Sequence, residues 1–134
     1  MVGIVIISHG KLATNIMSTI KLFTKDVENV KTLDLTQDLG PEEFMQNLKT
    51  AVDEVNTGQG VLVMADLFGG TPANSAWKII SSSQDICCIT GVNLGMVLEV
   101  LFQRKENKKL SKLLKLAKEA GTNSIKVLEP IESN

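Results

Sequence analysis

The chain has 134 residues, 43% of them apolar and 22% charged, with a formal net charge of −1 at neutral pH. Those values predict one globular domain over residues 1–134 with enough apolar material for a core, and they exclude a disordered chain and a bulk basic surface for nucleic acid. Four Phe, one Trp and no Tyr argue against platforms that stack bases or flavins on aromatic rings.

The chain opens M-V-G-I-V-I-I-S-H-G. This apolar run is too short to span a bilayer and lacks the basic n-region and cleavage site of a signal peptide. It predicts a cytoplasmic protein whose first strand, 2–8, is buried on both faces. Over 11–24, Leu12, Ile16, Ile20 and Phe23 recur at helical spacing. Residues 30–35 form a second strand. Gly40-Pro41-Glu42-Glu43 starts a helix, with Pro in the first turn and acids at the positive end of the dipole. Phe44, Leu48, Val52 and Val55 make its apolar face, and it stops near Thr57-Gly58.

Residues 61–65 (V-L-V-M-A) form the next buried strand, ending at Asp66-Leu67-Phe68-Gly69-Gly70-Thr71-Pro72. A helix follows, with Thr71 suited to the N-cap and Pro72 to the first helical position. A short strand at 86–90 leads through Gly91-Val92-Asn93 into a helix reaching about Phe102. The polar stretch from Gln103 to Lys109 precedes a last helix ending near Gly121, and 125–128 (I-K-V-L) forms a short final strand. Alternating strands and helices with short linkers predict an α/β fold: an open, mainly parallel sheet, helices on both faces, and a C-terminal edge strand.

Open α/β sheets bind ligands beyond the carboxyl ends of their strands, where strand order reverses. Strand one ends at Ser8-His9-Gly10 and the strand at 61–65 ends at Asp66. If those strands are neighbours, His9 and Asp66 face one crevice. His9 is the sole histidine, and imidazole titrates near neutral pH. Taken alone it is equally a satisfied polar residue in a turn, and Asp66 alone is equally a strand-end or cap residue. Together they have a specific use. A carboxylate that accepts one ring N–H fixes the tautomer and leaves the other nitrogen as a nucleophile. Gly69, Gly70 and Thr71 bare backbone at a helix N-terminus, which suits a phosphoryl group. No Gly-Lys-Ser/Thr follows, so this is not a nucleoside-triphosphate loop.

Three motifs in order, S-H-G closing the opening strand, the D-L-F-G-G-T-P loop and T-G-V-N-L-G-M-V-L-E, resemble the IIA domains of the mannose-type phosphoenolpyruvate-dependent sugar phosphotransferase system. The resemblance covers the whole chain. It implies a phosphohistidine at His9, oriented by Asp66, with Gly69, Gly70 and Thr71 beside the phosphoryl group, and no cofactor or metal. It implies HPr as donor, a separate IIB component as acceptor, and the membrane components IIC and IID downstream. It also implies a homodimer in which the C-terminal edge strand is exchanged. Phe68 stands where that family often carries Trp, and Thr71 where it carries Ser or Thr.

Two other functions fit parts of this pattern: the phosphocarrier subunit of a dihydroxyacetone kinase, and a non-catalytic flavodoxin-like binding module. The complete G-G-T-P loop disfavours the first; scarce aromatics disfavour the second. Cys87 and Cys88 point to opposite faces of a strand and read as half-buried packing residues. Trp77 reads as a core or dimer anchor. Met96, Val97 and Val100 share one helix face, and the lysines of 108–118 read as the solvated side of a leucine stripe.

Overall fold

The structure, a computed structural model, describes residues 1–132. Its elements run β1 (Gly3–His9), α1 (Leu12–Ile20), β2 (Val30–Leu35), α2 (Pro41–Val55), β3 (Val61–Ala65), α3 (Gly70–Ile80), β4 (Ile86–Ile89), α4 (Leu94–Gln103), a 3-10 turn (Arg104–Glu106) and α5 (Leu110–Asn123). The four strands form one sheet in the order β2-β1-β3-β4, and every pairing is parallel.

The period-2 geometry of a strand explains how the β-branched runs build two cores at once. From β1 and β3, Ile4, Ile6, Leu62 and Met64 face α1, α4 and α5. Val5, Ile7, Val61 and Val63 face α2 and α3 on the other side. Ile4, Val5, Ile6 and Ile7 are all fully buried. Each such side chain contributes about 1.5–3 kcal/mol of gross apolar transfer, so these strands are central rather than peripheral. The α2 stripe behaves as its spacing requires: Phe44, Leu48, Val52 and Val55 are buried. Met96, Val97 and Val100 are core residues of α4. In α5, Leu113 and Ala117 are buried while the lysines look outward.

Three elements depart from the sequence expectation. The first helix ends at Ile20, and Phe23 lies in the following turn, 64% exposed. Next, α3 starts at Gly70 with Gly69 as N-cap, rather than at Pro72 with Thr71 as cap. Both glycines have positive φ, +82° and +76°, which L side chains avoid and which turns the chain into the helix early. Pro72 then occupies the third helical position, where its missing N–H has no intrahelical partner to lose. Finally, residues 125–128 are not a strand of this sheet. After α5 they continue without pairing to any strand of the described residues, with Ile125, Val127 and Leu128 at least three-quarters exposed.

One buried group has no counterpart in the sequence pattern. The Arg104 side chain is 2% exposed. It donates to the Val2 carbonyl at 3.0 Å, to the Asn29 carbonyl at 3.5 Å and to the Glu28 carbonyl. It thus joins the end of α4 to the start of β1 and the approach to β2. Replacing Arg104 by Met keeps an apolar stem but orphans these carbonyls, at a cost on the order of 3 kcal/mol. Urea unfolding is expected to show that loss with an unchanged slope; a loss under about 1 kcal/mol would contradict the assigned role.

Candidate functional site

The reversal in strand order falls between β1 and β3, which are direct neighbours with Ile7 opposite Ala65. Beyond those ends lie His9 and Asp66. One carboxylate oxygen of Asp66 accepts both the His9 backbone N–H, at 3.0 Å, and the His9 Nδ1–H, at 2.9 Å. The other oxygen accepts the Leu67 N–H at 2.9 Å. With Nδ1 committed to the carboxylate as a donor, Nε2 is the unprotonated nitrogen of the neutral ring. The Asp66 side chain is 10% exposed and that of His9 is 45% exposed: the orienting group is covered and the ring it orients is open.

Burial alone would raise the Asp66 pKa. The His9 amide, the His9 ring (through its hydrogen bond and its charge when protonated) and the Leu67 amide together hold it below the ordinary 3.8.

The ring lies against Gly70. A Cβ built on Gly70 would fall 2.9 Å from the ring Cε1 and 3.0 Å from Nε2, too close for any side chain. The early turn at Gly69 and Gly70 therefore brings the start of α3 to the free nitrogen. No side chain caps this helix start, which leaves its first amides for an anion. Thr71 is the second residue of α3. It lines a groove of about 500 Å³ between α2 and α3 with Pro41, Met45, Asn74 and Lys78. Of the five residues marked out by the sequence, His9 meets Asp66 and Gly70 directly, while Gly69 lines a groove beside β4 and Thr71 the groove between α2 and α3.

The other residues singled out earlier lie outside this cluster. Trp77 is 70% exposed, so it is not a core residue. With Phe68, Ile80, Cys87 and Cys88 it lines an apolar groove of about 630 Å³ beside β4. Burial pushes the Cys87 thiol up to about 11, and burial plus its neighbour pushes Cys88 to about 12, so both are protonated and unreactive at neutral pH. The described residues contain no cluster of three or more His, Cys, Asp or Glu able to hold a metal. None of their helices is long and apolar enough to cross a membrane. Ser8 and Asp34 cap α1 beside His9; in the sequence only their position at strand ends marks them.

A carboxyl group whose folded pKa lies below its unfolded value adds stability in full above the unfolded value, and loses it as pH falls through the folded value. The stability gap between the parent and Asp66→Asn is therefore expected to be constant near neutrality. It should shrink as pH drops below about 4. Urea titrations across that range measure it; a gap independent of pH would mean that Asp66 is not held low.

Comparison with known proteins places the chain by sequence and by fold. The family model EIIA-man, described as the PTS system fructose IIA component, matches residues 3–118. The PTS system mannose-specific EIIAB component of Escherichia coli strain K12 is 30% identical over 133 residues, covering 98% of this chain and 41% of that protein. The chain thus spans about two-fifths of the length of that relative. The PTS system fructose-specific EIIA component of Bacillus subtilis strain 168 is 28% identical over 127 residues, covering 95% of this chain and 86% of that protein. In fold, the crystal structure of phosphotransferase system component EIIA from Streptococcus agalactiae is similar with a TM-score of 0.87 at 24% identity, covering 95% of this chain and 97% of that one. Sequence and fold agree over nearly the full length: the chain belongs to the EIIA-man family of phosphotransferase-system IIA components.

Proposed function

We propose that this chain is a cytoplasmic phosphocarrier of a sugar phosphotransferase system, accepting a phosphoryl group on His9 from HPr and passing it to a IIB component that serves the membrane components IIC and IID. One observation carries the reading. Asp66 takes Nδ1 of a half-exposed ring at 2.9 Å, so Nε2 has a free lone pair directed toward the bared start of α3. That lone pair attacks phosphorus. The bond from phosphorus to the donor's leaving atom breaks, and that atom keeps the electron pair. Asp66 stabilises the cationic character the ring acquires, and the uncapped amides of α3 with the Thr71 hydroxyl hold the phosphoryl oxygens. Transfer to IIB is the same displacement reversed in role. Membership of the family supports phosphotransfer in sugar uptake over a dihydroxyacetone kinase subunit or a flavodoxin-like binding module.

The test is incubation with phosphoenolpyruvate, enzyme I and HPr. One acid-labile, base-stable phosphoryl group per chain is expected, attached through Nε2 and absent in His9→Ala. Asp66→Ala should retain the site but slow transfer by about 10²-fold, the cost of a misplacement near 1 Å. Full labelling of His9→Ala would overturn the assignment.

A homodimer joined by the C-terminal segment forms part of the proposal. Among the described residues β4 pairs with β3 alone, so its outer edge offers unpaired backbone groups, which natural sheets rarely leave uncovered. Residues 125–128, with the exposed apolar Ile125, Val127 and Leu128, suit that edge in a second copy, and Trp77 stands beside it as an anchor. Removing the residues after 124 is expected to convert a dimer to a monomer in analytical ultracentrifugation, with phosphorylation of His9 retained; a dimer that survives the truncation would refute the exchange.

A further inference from the structure

The start of α1 lacks a cap of its own. Its N-cap residue, Lys11, makes no side-chain bond to the helix, although the first amides of a helix need partners from outside it. Two partners come instead from the ends of two strands. Ser8 Oγ, on β1, accepts the Ala13 N–H at 2.7 Å. Asp34, on β2, accepts the Thr14 N–H at 3.2 Å through Oδ1 and the Thr14 hydroxyl at 2.5 Å through Oδ2. Ser8 and Asp34 are direct cross-strand partners, so the two acceptors form one bracket over the helix end.

Only His9, Gly10 and Lys11 separate the Ser8 end of this bracket from the first residue of α1. The backbone between is fixed twice more, by the His9 N–H to Asp66 and by the Gly10 N–H to the Leu35 carbonyl at 2.8 Å. Ser8 itself is fully buried. It continues the face of β1 on which Ile4 and Ile6 pack against α1, α4 and α5. An apolar side chain would serve that layer at least as well, because a buried hydroxyl contributes only when it is bonded. What the hydroxyl adds is a connection from the residue beside His9 to the helix that follows it.

We propose that Ser8 and Asp34 are positioning residues for His9, locking α1 onto the ends of β1 and β2 so that the His9 backbone, and with it Nε2, is held at a fixed place relative to Asp66 and Gly70. This rests on the phosphocarrier reading for its kinetic consequence but not for its geometry. Asp66 restrains the ring through one nitrogen only, so any shift of the backbone re-aims the other. Asp34 also places its negative charge at the positive end of α1, where the first helical turn has no acid of its own.

The test compares the parent with Ser8→Ala, Asp34→Ala and Asp34→Asn, with Val52→Ala in the distant core of α2 as a control for lost stability. Two measurements are made: single-turnover transfer from phosphorylated HPr, and nitrogen NMR of the His9 ring without any partner. In Ser8→Ala and Asp34→Ala the maximal rate is expected to fall about tenfold or more, with the half-saturating donor concentration changed less than about twofold. Their ring nitrogens should move from a fixed Nδ1–H form toward an average of tautomers. Asp34→Asn, which keeps an acceptor for Thr14, should restore the rate to within about threefold of the parent. Rates and ring shifts like those of the parent in both alanine variants would overturn the proposal, as would equal slowing in Val52→Ala. If the parent itself takes no phosphoryl group, the functional reading fails separately. The ring shifts then decide alone: movement in Ser8→Ala upholds the positioning role, and no movement overturns it.

Discussion

A single carboxylate oxygen receiving two N–H groups from the same residue sets the character of this site. Asp66 binds the backbone and the ring of His9 together, which fixes where the residue is and how its imidazole is turned. The contact exists because β3 lies beside β1 in the sheet. With any other strand between them, about 4.8 Å of extra separation would break both bonds. The tautomer of one ring is therefore a consequence of strand order. Burying a carboxylate is costly, and three donors offset that cost here. The Leu67 amide, the first one past Asp66, supplies the third.

Two helix N-termini converge on the same crevice, and the chain treats them differently. The amides of α1 are already engaged by Ser8 and Asp34. Those of α3 follow a Gly-Gly turn with no side-chain cap. An anion arriving at Nε2 thus meets one occupied helix end and one vacant end. The difference comes from residue choice: hydroxyl and carboxylate at the strand ends facing α1, and no side chain at all at the entry to α3. Gly70 serves a second purpose, because only a residue without Cβ allows the backbone this close to the ring.

Most of the framework was readable from pattern alone. The runs at 2–8 and 61–65 contain only residues that suit burial on both faces, and both became central strands. The α2 stripe repeats at helical spacing, and all four of its marked residues are core. The pairing of His9 with Asp66 followed from asking which reactive residues end strands. What pattern did not disclose were contacts with no periodicity. Arg104 sits in a polar stretch that reads as a linker, yet its partners are three carbonyls far away in sequence. Carbonyls are common to every residue, so composition cannot mark them. Ser8 looked like a punctuation mark before His9, because its partner is a backbone amide. The start of α3 was misplaced by two residues since Thr-Pro imitates a cap, while the two positive-φ glycines ahead of it governed the turn. Residues 125–128 have strand composition, but composition does not say which edge, or whose, a strand joins.

The two segments that carry His9 and Asp66 also carry large apolar side chains that stay in water. Leu12, Leu67 and Phe68 are 47%, 59% and 94% exposed, and they lie in the two segments that carry His9 and Asp66. Where such side chains form one contiguous patch, they mark an interaction surface. On the proposed phosphocarrier reading, this arrangement has a use. Its group must stay accessible to two successive proteins, so no permanent lid can cover it. It must also be kept from water during each transfer. Exposed apolar side chains beside the site would meet both demands, because a partner's own surface would complete the dry cavity and remove it on leaving. The groups recorded against the ring are one carboxylate, from Asp66, and the backbone of Gly70; on the proposed reading, a site with so little fixed positive charge would release a phosphoryl group as readily as it accepts one.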